Sequence, residues 1–181
     1  MKTKITLISL FLLLAFVGKS QKSPELFTKL SVDDLIAKAD QFQNKKVEVI
    51  GLIVHMCGVD AKKMKLKSPS GAIIKIVPQN PDEAFDTAFK KQLVSVKGMV
   101  EVKRIEKAYI DKMEKEGTLL CHIDNTPCKD KEWINKKIET GADVTISKRD
   151  IAKLRKKMEV SGKDHITSIC IRAEKVELLE N

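Results

Sequence analysis

The sequence predicts an α+β protein, mainly β with helices: a five-stranded barrel carrying a helical insertion between its fourth and fifth strands. Two segments repeat a Val-x-Val-x-Gly-x-(Ile/Val) pattern, Val47-Glu48-Val49-Ile50-Gly51-Leu52-Ile53 and Val94-Ser95-Val96-Lys97-Gly98-Met99-Val100. Their period of two marks strands with one buried face. Each carries a glycine in mid-strand, which weakens a flat sheet but permits the sharp bend that barrel closure needs. From about 105 to 165 the chain becomes charged and helical in its spacing, before a last β-branched run.

Taken in order, Ser31 with Asp34 three residues later forms an N-cap pattern. Leu35, Ile36, Ala39 and Phe42 then recur at helical spacing, predicting a helix over 32–42 that ends at Asn44 and Lys45. The first strand runs from Val47 to Met56. A short alternating strand follows at Lys63–Lys67, and the turn Ser68-Pro69-Ser70-Gly71 leads into a third at Gly71–Val77. Residues 82–91 predict a helix with Phe85, Ala88 and Phe89 as its buried stripe, and the fourth strand spans Val94–Val102. Within the insertion, Tyr109, Ile110 and Met113 mark one helix, and Trp133, Ile134 and Ile138 a second that stops at Gly141. A third is expected to start at Ser147, paired with Asp150, to turn Ile151, Leu154 and Met158 inward and to end at Gly162. The final strand covers about Ile166–Leu178, with Ile169, Ile171 and Ala173 on one face.

Strand-strand-strand-helix-strand-strand is the connectivity of the five-stranded OB-fold barrel. The chain also resembles a family, the exported OB-fold proteins common in Bacteroidetes-type bacteria. The resemblance rests on Val47 to Cys57 with its His-x-Cys ending, on Lys62-Lys63-Met64-Lys65-Leu66, on Val94 to Ile105 followed by Tyr109-Ile110, and on the Cys121-His122 dipeptide after a charged helix. It spans about Val47 to Glu177 and implies a fold and a compartment, with no established activity.

The N-terminus points to export. Lys2 and Lys4 precede an uncharged apolar run from Ile5 to Gly18, the layout of a secretory signal over residues 1–20, with cleavage expected between Ser20 and Gln21. The run is too short to span a bilayer comfortably. Residues 21–45 would then hold the N-terminal helix and 46–181 the barrel domain, in the periplasm or outside the cell. Removing 1–20 takes away three lysines and no acid, so the formal charge of +9 becomes +6. No later apolar stretch is long enough to cross a membrane.

All four cysteines, Cys57, Cys121, Cys128 and Cys170, lie in the exported part, where paired thiols are the default. His55 and Cys57 are two apart at the end of the first strand, next to the rim where OB folds bind ligands. Cys121, His122 and Cys128 form a second cluster in a segment broken by Asn125, Thr126 and Pro127. If the insertion folds back over the rim, the two clusters meet. A disulfide, Cys57 to Cys121 or Cys121 to Cys128, would pin the insertion and add about 2 to 4 kcal/mol. The alternative is a metal-binding protein, with zinc drawing on His55, Cys57, Cys121 and Cys128 and His122 as a further donor, or a haem-iron trafficking protein using His55 and Cys57 as ligands. A third possibility is thiol exchange, with Cys57 attacking and Cys121 resolving. Cys170, between Ile169 and Ile171, is expected to be a buried apolar residue, and His165 to be exposed.

The sequence excludes more than it assigns. It holds no Cys-x-x-Cys, no haem-attachment motif, no Gly-rich phosphate loop, no nucleophile elbow and no zinc-protease motif. Nucleic acid is disfavoured, because no strand offers a stacking platform: Trp133 and Tyr109 lie in the insertion, and Phe27, Phe42, Phe85 and Phe89 lie in or near helices. The run of Lys148, Arg149, Lys153, Arg155, Lys156 and Lys157 suits the solvated face of an amphipathic helix. Asp33 with Asp34, and Asp82 with Glu83, fit helix starts. The expectation is a binding or assembly module without catalysis or cofactor, for an unidentified ligand or protein partner.

Overall fold

The computed structural model describes residues 26–179. The expected signal segment, its cleavage point and residues 21–25 lie outside that range, as do the last two residues. Six strands and five helices follow in the order β1 (Thr28–Lys29), α1 (Val32–Ala37), α2 (Ala39–Phe42), β2 (Lys46–Met56), β3 (Met64–Lys67), β4 (Ile73–Pro78), β5 (Leu93–Glu106), α3 (Lys107–Lys115), α4 (Lys131–Glu139), α5 (Asp143–Ser161) and β6 (His165–Leu178). The sheet runs β1-β2-β3-β4-β6-β5, and β2 also pairs with β5, so β2 to β6 close into a barrel. β4 and β6 pair in parallel, whereas β2–β3, β3–β4, β5–β6 and β2–β5 are antiparallel. This is the OB-type arrangement, with α3 to α5 inserted between the fourth and fifth barrel strands. Among the described residues no helix is long and apolar enough to cross a membrane.

The two glycine-bearing strands are direct neighbours, with Val49 opposite Val96. Their glycines are places of close approach. A Cβ at Gly98 would meet the Arg172 carbonyl carbon at 2.7 Å and Ala173 Cα at 2.8 Å, and one at Gly51 would meet Leu66 Cγ and the Lys67 carbonyl oxygen, both at 2.8 Å. Gly98 sits where the β5–β6 register slips past Glu174, a bulge that bends the ribbon. The barrel interior is hydrocarbon: Val47, Val49 and Ile53 from β2, Met64 and Leu66 from β3, Ile74 and Ile76 from β4, Val94, Val96 and Val100 from β5, Ile171 from β6. Val32 and Leu35 of α1 plug one end. Cys170 is buried, as expected.

A second cluster, Ile110, Met113, Leu120, Ile151 and Leu154, holds α3 and α5 against the protruding β5–β6 ribbon. Arg155 of α5 ties Asp111 and Glu114 of α3. The core thus extends into the insertion and fixes its position.

Several local expectations are corrected. The helix over 32–42 is two pieces broken at Lys38, though Ser31 caps it by accepting from the Asp34 amide. Residues 82–91 form only a 3-10 turn at Thr87–Phe89. There the side chains of Asn80 and Asp86 accept from the Asp82 and Ala88 amides and compete with helical pairing. Ala88 is exposed while Phe85 and Phe89 pack on the barrel, and Asp82 and Glu83 begin no helix. α5 starts at Asp143, so Ser147 lies inside it, buried and donating to the Thr118 carbonyl instead of capping. Gly162 does end α5 in the left-handed region, at φ 62°. Ile138 is exposed, and His165 is half-buried beside Asp164, not exposed. β1, parallel to the start of β2, has no counterpart in the sequence reading.

Candidate functional site

The insertion does fold back onto the barrel. Between α3 and α4 the chain makes a small hairpin: Leu120 pairs with Pro127, the Cys121 amide donates to the Thr126 carbonyl and the Cys128 amide to the Leu119 carbonyl. Asn125 takes the turn position at φ 58°, which asparagine tolerates better than most residues. The tip carries His122 to the rim, where its Nε2 lies 2.7 Å from Nε2 of His55 with the rings edge-to-face.

His55 points there because of a bulge. Ile53 pairs with Leu66 but His55 with Lys65, so Val54 is an extra residue in β2. Val47, Val49, Gly51 and Ile53 face inward, and strict alternation would send residue 55 inward as well. The bulge reverses the alternation, making Met56 the buried residue and turning His55 and Cys57 toward the insertion.

An ionic clamp, missed in the sequence, holds the hairpin. Asp124 is 6% exposed and reaches Lys63 at 2.7 Å and Lys75 of β4 at 3.9 Å. It also accepts from the hydroxyl and amide of Thr126, while Tyr109 donates its hydroxyl to the Asn125 carbonyl at 2.7 Å. Burial pushes the Asp124 carboxyl up, but hydrogen bonds from Lys63 and Thr126 and the Lys63 charge outweigh it and hold it below the ordinary range. An aspartate in Asp-Asn-Thr-Pro reads as a turn residue; only the fold brings both lysines to it.

The electrostatics favour neutral histidines. Burial pushes His55 down, helped by His122, Lys65 and Lys90; burial also lowers His122, helped by Lys65. A neutral pair lets one ring donate and the other accept. Lys65, paired with His55 across the β2–β3 ladder, is itself pushed down by burial and was not foreseen. Behind the histidines lies a pocket of about 290 Å³. Its walls include Cys57 and Val59 from the β2–β3 loop, Cys121 and Cys128 from the hairpin and Trp133 from α4, with Lys63, Lys129 and Arg149 balanced by Asp60, Asp130 and Asp150. All five expected site residues therefore converge: His55 meets His122, and Cys57, Cys121, His122 and Cys128 line one pocket.

The expected disulfide is not formed: all four cysteines are free. The hairpin explains this for one pair. Cys121 lies opposite Thr126 and Cys128 opposite Leu119, so the two residues are diagonal neighbours, positions typically about 7 to 8 Å apart and beyond the usual reach of a bridge. Cys57 faces the same pocket unbridged. Among the described residues no group of three or more His, Cys, Asp or Glu side chains is disposed to hold a metal ion. Burial pushes the Cys121 thiol up, which works against a thiolate role in exchange.

Thiol labelling should follow these surroundings. With an aromatic disulfide reagent at mildly alkaline pH, Cys57 and Cys128, both half-buried, are expected to react in the native protein. Cys121 should lag. Cys170, 1% exposed and pushed up by burial to about 11, should react only on unfolding. Four equally fast thiols would contradict this placement.

No family model matches the chain, and neither does any curated protein.

Proposed function

We propose that the chain is an exported, non-catalytic binding module, whose ligand enters the mouth between the β2–β3 loop and the 119–128 hairpin. The observation that carries this reading is the contact of His55 with His122, which brings the two Cys/His clusters to one pocket. The wall sets thiols, Val59, Leu120 and Trp133 among three bases, Lys63, Lys129 and Arg149, and three acids, Asp60, Asp130 and Asp150, which suits a small, largely apolar body with a polar end. Export is supported by the basic and apolar N-terminal pattern.

Trp133 is the only tryptophan of the chain and stands in the pocket wall, so its emission reports on the mouth. Anilinonaphthalene sulfonate, an aromatic body with one anionic group, is expected to quench it saturably at one equivalent. Cys57→Phe, which fills the pocket, should weaken that binding about tenfold, equivalent to about 1.4 kcal/mol. Quenching unchanged by Cys57→Phe would refute the mouth as the site.

A second reading, zinc capture, is favoured by the two converging ring nitrogens. Tetrahedral zinc needs the imidazoles to part slightly and at least one of Cys57, Cys121 or Cys128 to swing in. Lys65 and Lys90, which already disfavour positive charge on His55, oppose a cation unless thiolates balance it. Under this reading His55→Ala, which removes one ring nitrogen from a residue that does not line the pocket, abolishes zinc uptake while leaving dye binding intact.

A further inference from the structure

We infer that the barrel flank beneath the hairpin turn is a site for a tetrahedral oxyanion, either inorganic phosphate or a phosphomonoester group. It adjoins the mouth, with which it shares Asp60, Lys63 and Lys129, but does not depend on the ligand proposed there. A pocket of about 210 Å³ opens where β4, β5 and β6 meet the insertion, a size suited to one such group.

Its charges do not balance. Six basic side chains and three acids line it. Each acid has a basic or amide neighbour: Asp124 lies between Lys63 and Lys75, Glu101 accepts from Arg172 through Oε1 while its buried Oε2 faces Lys103 at 3.4 Å without a hydrogen bond, and Asp60 accepts from the Lys62 amide. Lys129 lines the same pocket with no ion-pair partner among the described residues.

Lys75 is the telling residue. Its side chain is only 11% exposed, yet its one ion pair, at 3.9 Å, is too long for a hydrogen bond, and the shared Asp124 oxygen is already taken by Lys63 at 2.7 Å. The ammonium itself keeps contact with solvent at the pocket, so its unfilled donors are open to an anion that enters there. A phosphate oxygen at Lys75, with Lys103 and Lys129 on its other oxygens, would accept charge-assisted hydrogen bonds from strands and insertion together.

The test is an NMR titration of the full protein with inorganic phosphate, with chloride at matched ionic strength as the control. Saturable shifts are expected at the amides of Lys75, Lys103 and Lys129. Lys129→Ala, a surface change that leaves the fold alone, should weaken binding about tenfold, and Lys75→Met should abolish it. Shifts that fail to saturate, that chloride reproduces, or that Lys129→Ala leaves unchanged would overturn the site. Phosphatidylglycerol vesicles form a second arm. Uptake of vesicles with no response to free phosphate would also overturn it, by assigning the charge to a surface instead of a pocket. Lys75 lines this pocket and not the mouth, so loss of the phosphate shifts in Lys75→Met with Trp133 quenching by the dye retained keeps failure here distinguishable from failure there.

Discussion

Gly98→Ala is expected to cost about 3 kcal/mol or more, the upper range for forcing atoms into a packed interior. The added methyl collides with the backbone of Arg172 and Ala173, and a backbone obstacle cannot rotate aside as a side chain can. It falls at the β5–β6 bulge, where the longest ladder of the barrel turns. Gly58→Ala serves as the control: Gly58 has nothing within 4 Å of the added atom, and its effect should stay within about 0.5 kcal/mol. Denaturant unfolding followed by circular dichroism measures both. Equal midpoints for the two variants would remove the steric argument for closure at Gly98.

The second large effect is expected at Asp124. Asp124→Ala leaves Lys63 and Lys75, 18% and 11% exposed, without their shared carboxylate. Removing one partner of a buried pair costs about 3 to 5 kcal/mol, because the remaining charge is stranded. The loss should fall first on the hairpin, so His122 should leave His55 and Trp133 emission should change before the barrel melts. Acid should act in the same direction. The Asp124 carboxyl is held below its ordinary 3.8 in the folded chain. Its contribution is therefore complete above that value and is lost as pH falls through the lower, folded one. An alanine variant with native Trp133 emission and an intact His55–His122 contact would show that the clamp does not position the hairpin.

Much of the barrel was legible because period-two patterning and mid-strand glycines are local signals. Val47 to Ile53 and Val94 to Val100 announce both their faces and their bends, and the structure pairs them as neighbours. The segment from 82 to 91 misled because Phe85 and Phe89 sit at helical spacing, while Asn80 and Asp86 divert the backbone into turns. Ser147 misled for a similar reason: its hydroxyl serves Thr118 across the insertion, not its own helix. The five Cys and His residues of the rim were legible as two clusters, and their convergence depended on the insertion folding back. The clamp of Lys63, Lys75 and Asp124 was not legible, since ion pairs between distant segments leave no periodic trace.

The extra residue at Val54 has a wider consequence for how this rim can vary. It sets two consecutive side chains, Val54 and His55, outside the barrel between the buried Ile53 and Met56. Ile53 and Met56 answer to the hydrocarbon interior, being 0% and 2% exposed, while His55 and Cys57 answer only to whatever docks outside. Selection can therefore exchange the chemistry at 55 and 57 without repacking the barrel, while the bulge sets the direction in which the imidazole leaves the rim.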